Sequence, residues 1–326
     1  MLGFIALQPG PWPALGSKPA LAVTYDLSSA VADTSPGCAG SHMLEHLRTF
    51  LVAAAALTLG QALAFAGQPA TAGRVMLASV LDPSGQPTVD VGADDFVIEE
   101  GNDDREILAV RVADYPVAVL LDNGSESETN LAAIKQAAAR FIARIGQRPV
   151  AVGTLAQPAE IVASFDDERE RVLENLAIIA AAPTRALTPL AAVTNVATII
   201  RETGTPFSAV IVVSARAVDP SEQTASERFT PILESGAAVH VVTLRPAGLP
   251  PEAGADLLKE LASQTKGQHI PIYTPASYAV ALDRLADRLA TEIMIDYLVP
   301  GGSVAREARV GVKIPGARVT ALGVSK

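Results

Sequence analysis

One stretch limits what this chain can fold into more than any other. Residues 115–129 (YPVAVLLDNGSESET) run from an unbroken apolar segment into an acidic, hydroxyl-rich loop, and helical periodicity follows at once. An apolar run with no polar alternation belongs to a strand covered on both faces, as in a parallel sheet. Release of Asp122, Ser125 and Ser127 at the carboxyl end of such a strand matches the way open α/β sheets build ligand sites.

Downstream, the same alternation of strand and helix repeats. Residues 129–145 place Leu131, Ile134, Ala138, Phe141, Ile142 and Ile145 on one helical face, with Ser127 or Thr129 as the expected cap. Segments 150–155 and 160–164 read as strands joined by a turn at Pro158, and Asp167 and Glu170 open a further helix. A helix entered through Pro189 carries Leu190, Val193, Val196, Ala197 and Ile200. Strands are expected at 209–214, 238–244 and 269–272, with helices at 252–264 and 276–291 and a stop at Gly236. The fold class is therefore α/β, a doubly wound, mostly parallel sheet flanked by helices.

The flanking segments follow a different rule. Residues 74–112 and 293–322 are short alternating runs broken by Pro, Gly and Asn turns, the pattern of hairpins. Neither segment can bury its apolar face alone, so the two are expected to complete one small accessory β layer.

The order of these features resembles the von Willebrand factor A (vWA) domain, in the variety found in secreted bacterial proteins. There a strand, an Asp-Asp-Phe and a Glu-Glu-Gly precede the first vWA strand, and Asp94-Asp95-Phe96 and Glu99-Glu100-Gly101 stand in those places here. The resemblance covers roughly residues 117–291 and implies three loops meeting at the strand ends: one after Asp122, one bearing Thr188 and one after Ser214. In vWA domains these loops hold a metal-ion-dependent adhesion site through Asp-x-Ser-x-Ser, a Thr and an Asp. Asp122 and Thr188 match. The two Ser positions hold Gly124 and Glu126, with Ser125 and Ser127 displaced by one, and the third-loop Asp is Ala215. A slip of one residue turns a side chain to the other side of an extended backbone. A magnesium ion requires about six oxygens at roughly 2.0–2.1 Å. The resemblance thus implies a degenerate site without cofactor, where Asp122, Ser125, Ser127 and Thr188 form a residual ligand face and bind local backbone. A shifted first loop that takes Mg or Mn, with help from Glu126 or Asp219, is the alternative.

Composition bounds the remaining classes. The chain has 326 residues, 49% of them apolar, and a mean hydropathy of +0.30, ample for a packed core. Part of that hydrophobicity is the run 49–59 behind Arg48, which ends near Ala64-Phe65-Ala66; a basic residue, a short apolar run and a small-x-small pair make a secretory signal. The expected organisation is a disordered leader or upstream-start artefact (1–42), a signal peptide cleaved after Ala66 (43–66), an N-terminal β segment (67–115), the vWA-like domain (116–292) and a C-terminal β segment (293–326). An uncleaved membrane anchor is the competing reading of 43–66. Cleavage removes Lys18 and Arg48 against Asp26, Asp33 and Glu45, so the net charge of −10 becomes −9. An acidic secreted or periplasmic chain argues against nucleic acid and anionic membrane as partners. Cys38 is the one cysteine and lies in the leader, so the mature chain has no thiol to lose to an oxidising compartment.

His240 and His269 lack a second ligand at metal spacing and read as structural, and residues 166–168 (DDE) read as a solvated helix start. No nucleophile elbow, phosphate-binding glycine loop, zinc-protease motif or dinucleotide fingerprint follows any strand. The expectation is an exported, non-catalytic module for an unknown protein ligand. A hydrolase or nucleotide binder working in the same strand-end crevice is the reading from another class.

Overall fold

The computed structural model describes residues 71–124, 127–216, 225–245, 256–302 and 307–325. All of them belong to one compact unit, Pro69–Lys326. The segments expected to be a leader and a signal peptide, with the expected cleavage residues Ala64 and Ala66, lie outside the described residues, as do Ser125, Glu126 and Asp219.

The apolar run after Tyr115 is β5 (Val117–Leu121), with every residue buried, and it lies inside a six-stranded sheet. Its neighbours are β6 (Val150–Thr154) on one side and β8 (Ser208–Ser214) on the other, both parallel to it. Beyond β8 come β9 (Ala237–Leu244) and β10 (His269–Ile272), also parallel. Beyond β6, β7 (Ile161–Ala163) runs antiparallel as the other edge, closing a hairpin through Pro158. The order β10-β9-β8-β5-β6-β7 means that the chain winds outward from β5 in one direction, returns, and winds outward in the other. That reversal puts a topological switch point between β5 and β8.

Successive residues of β5 enter opposite cores, as the two-residue repeat of a strand requires. Val117, Val119 and Leu121 pack with helices α1 (Leu131–Arg144), α2 (Arg169–Ile178) and α6 (Ser277–Ala290), through Ile134, Phe141, Leu176 and Leu285 among others. Ala118 and Leu120 pack with α3 (Pro189–Glu202), α4 (Ala225–Glu234) and α5 (Leu257–Gln264), through Val193, Ile232 and Leu258. The apolar stripes read from the sequence for α1 and α3 are the buried faces, and α6 buries Tyr278, Leu282, Leu285 and Leu289. Opposite them, Arg140 and Arg144 of α1 pair with Asp283 and Asp287 of α6 at the surface, where such pairs add little stability. Gly236, at φ +71°, ends α4 and turns the chain into β9 in a conformation only glycine adopts without strain.

The flanking segments build two antiparallel sheets. One has the order β13-β1-β11-β4, from β13 (Arg318–Val324), β1 (Thr71–Leu81), β11 (Glu292–Pro300) and β4 (Ile107–Val112); the other has the order β12-β2-β3, from β12 (Ala308–Val312), β2 (Phe96–Glu100) and β3 (Asp103–Arg105). The expected layer forms, but its pairing is mostly long-range. Only β2 and β3 make a hairpin within the first segment, while β1 is flanked by β11 and β13 from the other end of the chain. Met76, Val80, Phe96, Ile98, Ile295 and Tyr297 fill the space between these two sheets, whereas Leu77 and Met294, on the opposite face, join the core of the central sheet.

Two buried polar clusters fasten the layers. Arg74 of β1 donates to Glu100 of β2, which also accepts from the Tyr297 hydroxyl of β11 at 3.2 Å. Tyr115 donates to Glu292, and the Arg148 guanidinium lies 4.1 Å over the Tyr115 ring with its Nη2 3.9 Å from the Glu292 carboxylate. Burial is the largest influence on Glu292 and pushes its carboxyl up; the Tyr115 bond and the charges of Arg148 and Arg288 oppose it.

Candidate functional site

The switch point brings together the loop after β5 and the start of the loop after β8. Asp122 is 1% exposed. One carboxylate oxygen accepts the Gly124 amide at 3.0 Å and the other the Ala215 amide at 2.9 Å, while the Ser214 hydroxyl lies 3.3 Å from the latter oxygen and 2.8 Å from the Arg216 carbonyl. The acid that the sequence singled out thus acts as a staple between the two loops. Ala215, where the vWA pattern has an Asp, supplies a backbone N–H and no oxygen. The Tyr278 hydroxyl of α6 donates to the Ser214 carbonyl at 2.8 Å, and burial, followed by the negative charge of Asp122, pushes that phenol up.

Ser127 is fully buried, and its hydroxyl donates to the Gly124 carbonyl at 2.6 Å. The expected helix cap is therefore not made: the residue before α1 is Asn130, without a side-chain bond to the helix. Thr188 does precede α3, but it too makes no side-chain cap; its Oγ1 reaches the Leu155 carbonyl only at 3.5 Å, while its amide donates to the same carbonyl at 2.8 Å. In both cases a nearby carbonyl competes with the helix amides for the hydroxyl.

Two residues that the sequence reading passed over shape the site. Leu187 covers the first loop: a Cβ at Gly124 would lie 2.8 Å from Leu187 Cδ2, so the space where the vWA pattern has a serine side chain is filled by leucine. Asn123, 8% exposed, links three further backbone points. Its Nδ2 donates to the Ala180 carbonyl at 3.1 Å, its Oδ1 accepts the Ala156 amide at 3.3 Å, and its own carbonyl accepts the Ala182 amide at 2.6 Å. A polar residue straight after a strand-end Asp was the available signal; the role of Leu187 had none, because it depends on a contact 63 positions away in sequence.

The open space lies to one side of the staple. A cavity of about 480 Å³ is lined by Asn123, Thr154, Glu160, Ile178, Thr184 and Arg185 among others, between the ends of β5 and β6 and the chain after α2. Ile178 at its rim is 78% exposed, and Arg185 and Glu160 approach to 3.8 Å. Among the described residues, no three His, Cys, Asp or Glu side chains group as metal ligands. His240 Nδ1 accepts the Gln268 amide at 3.2 Å, and His269 Nε2 lies 3.4 Å from Asp256. No helix among the described residues is long and apolar enough to cross a membrane.

The sequence matches no protein-family profile. It matches no curated protein either. Among solved structures it is similar to a von Willebrand factor type A protein from Catenulispora acidiphila, at 12% identity and TM-score 0.47, over 79% of this chain and 72% of that one. It is similar also to the conserved hypothetical protein BatB from Bacteroides thetaiotaomicron, at 16% identity and TM-score 0.40, over 53% of this chain and 98% of that one. A third similarity is to the SpRpn10 VWA domain, at 7% identity and TM-score 0.43, over 53% and 95% of the two chains.

Proposed function

We propose that this chain is an exported, non-catalytic vWA-like module that recognises a protein ligand at its strand-end face without a divalent ion. The observation that carries the reading is the engagement of Asp122. Its two oxygens hold the Gly124 and Ala215 amides, so the acid serves the loops. The donor set does not fit a hard cation. Ser127 directs its proton to a backbone carbonyl, Leu187 fills the space over Gly124, and position 215 has no carboxylate. The ligand surface is then the neighbouring cavity, where an exposed apolar residue, Ile178, sits beside the Arg185 and Glu160 pair. That mixture of apolar and polar surface suits a polypeptide partner.

Export and partner binding are tested together. Amino-terminal sequencing of the chain recovered outside the cytoplasm should begin near Gly67. A photo-cross-linker at Thr184 should then capture the same envelope protein in magnesium and in chelator, and Ile178→Asp should abolish capture. Capture that requires magnesium, or that survives Ile178→Asp, defeats the reading.

A further inference from the structure

The central sheet has a second opening at its other end. A cavity of about 550 Å³ lies where the amino ends of β8 and β9 approach β13 and the last turn of α6. Its size falls among small-molecule sites. Leu77, Phe207, Leu322 and Val324 give it an apolar wall.

Its polar lining differs from that of the strand-end face because it is incompletely paired. Ser208 is 4% exposed, and its hydroxyl has no hydrogen-bond partner. A buried hydroxyl left so costs stability. His240 is 3% exposed and accepts the Gln268 amide at Nδ1, which places the proton of the neutral ring on Nε2. Burial, and after it the charge of Arg288, keeps that ring neutral, with a pKa lowered to about 3. No hydrogen bond from Nε2 is made among the described residues.

The charges are unbalanced in the same direction. The two carboxylates in the lining are engaged elsewhere: Glu234 pairs with Arg201 at 3.9 Å, and Glu292 accepts from Tyr115 beside Arg148. The two cations, Arg288 and Lys266, form no ion pair among the described residues. The nearest acids along α6, Asp283 and Asp287, are held by Arg140 and Arg144. Two cations outside any close ion pair, although the charge of Arg288 acts on Glu292, together with the His240 Nε2–H and an apolar wall suit a ligand with one anionic head and an apolar body.

We propose that this cavity is a binding site for a small amphipathic carboxylate, its head taken by Arg288 and Lys266 with His240 Nε2 as neutral donor, and its body against Leu77, Phe207, Leu322 and Val324. The site is independent of the strand-end face and of any metal. Calorimetric titration of the full chain with sodium octanoate tests it, alongside octan-1-ol, octylammonium and inorganic phosphate. Octanoate should bind saturably at one site, at least about tenfold more tightly than octan-1-ol, the difference expected of one charge-assisted contact. Octylammonium and phosphate should not bind. Arg288→Gln should weaken octanoate about tenfold and the exposed Lys266→Gln about threefold, with unchanged urea midpoints. Lys266→Gln keeps the test decisive if Arg288→Gln does not fold. No saturable heat with octanoate, equal binding of octan-1-ol, phosphate binding as tight as octanoate, or octanoate affinity unchanged in the folded variants would each overturn the site.

Discussion

The loops around Asp122 and the cavity at the amino ends treat their polar groups in opposite ways, although Thr243 near the carboxyl end of β9 is also buried with an unpartnered hydroxyl. At the carboxyl ends, Asp122, Asn123 and Ser127 are buried and bonded to the backbone of neighbouring loops. At the amino ends, Ser208 is equally buried but unpaired, and Arg288 and Lys266 form no close ion pair among the described residues, although the charge of Arg288 acts on Glu292. Fold-level expectation points to the carboxyl ends, because open α/β sheets bind ligands there. Hydrogen-bond accounting points also to the other end. The difference teaches that a polar residue at a strand end signals a ligand only when its bonding capacity is not already met by the protein.

The largest effect should come from removing what joins the two ends. Deleting residues 292–326 removes β11, which lies between β1 and β4, together with β12 and β13, and so exposes Met76, Phe96 and Ile98 while stripping Leu77 from its contacts. Each such side chain contributes about 1.5–3 kcal/mol through burial, so the four together match a domain's usual net stability of about 5–15 kcal/mol. The truncated chain should lack a cooperative thermal transition. A retained transition would mean that the central sheet stands without the accessory layer, and the cavity at the amino ends would lose one of its walls without consequence for folding.

Next in size is an acid effect at the amino ends. The folded pKa of His240 is lowered from 6.5 to about 3 by burial and then by Arg288. The unfolded chain therefore binds a proton that the folded chain refuses, and the stability this histidine contributes at neutral pH is lost as pH falls from 6.5 toward 3. The loss amounts to roughly 4 kcal/mol across that window. His240→Asn, which keeps an acceptor for the Gln268 amide, should flatten the wild-type slope of urea-unfolding free energy below pH 6.5. Parallel slopes in the two proteins would show that the ring is not held neutral.

At the carboxyl ends, Asp122→Ala should leave the Gly124 and Ala215 amides unpaired and cost about 3 kcal/mol, whereas Asp122→Asn, which keeps one acceptor oxygen, should cost less. Denaturant midpoints in chelator measure both. If Asp122→Ala is as stable as the wild type, the staple contributes nothing and the contrast between the ends fails.

The central sheet was legible because its signals are local. The all-apolar run of β5 specified a strand buried on both faces, and the stripes of α1 and α3 specified which of their faces are buried. Asp122 was legible for the same reason. What escaped is set by distant contacts. The unburied apolar faces of the two flanking segments showed that they pair, but not that β1 lies between β11 and β13. Leu187 over Gly124 is an apolar residue before a helix until the fold brings the two together. Ser208, His240 and Arg288 come from three elements and form no motif, and His240 read as a structural histidine. That description fits Nδ1, which holds the Gln268 amide.

The smallest expected effect bears most directly on the strand-end face. Millimolar magnesium or manganese should leave the thermal midpoint of the wild type unmoved. An ion at one hundred times its dissociation constant would add about 2.7 kcal/mol, several degrees in a domain of this size, so a functioning site would be seen. Rebuilding the vWA donors requires more than new oxygens. Gly124→Ser drives its Cβ to within 2.8 Å of Leu187 Cδ2, so on its own it should destabilise by about 1–3 kcal/mol. Leu187→Ala has to accompany it, together with Glu126→Ser and Ala215→Asp. The new carboxylate at 215 would repel Asp122 in chelator, so the quadruple variant should be less stable there and recover when magnesium is added. A magnesium shift in the wild type would reject the degenerate-site reading. An ion-independent quadruple variant would instead mean that loops stapled by Asp122 do not present these positions to one cation, and the vWA resemblance would then reach the sheet order but not the site.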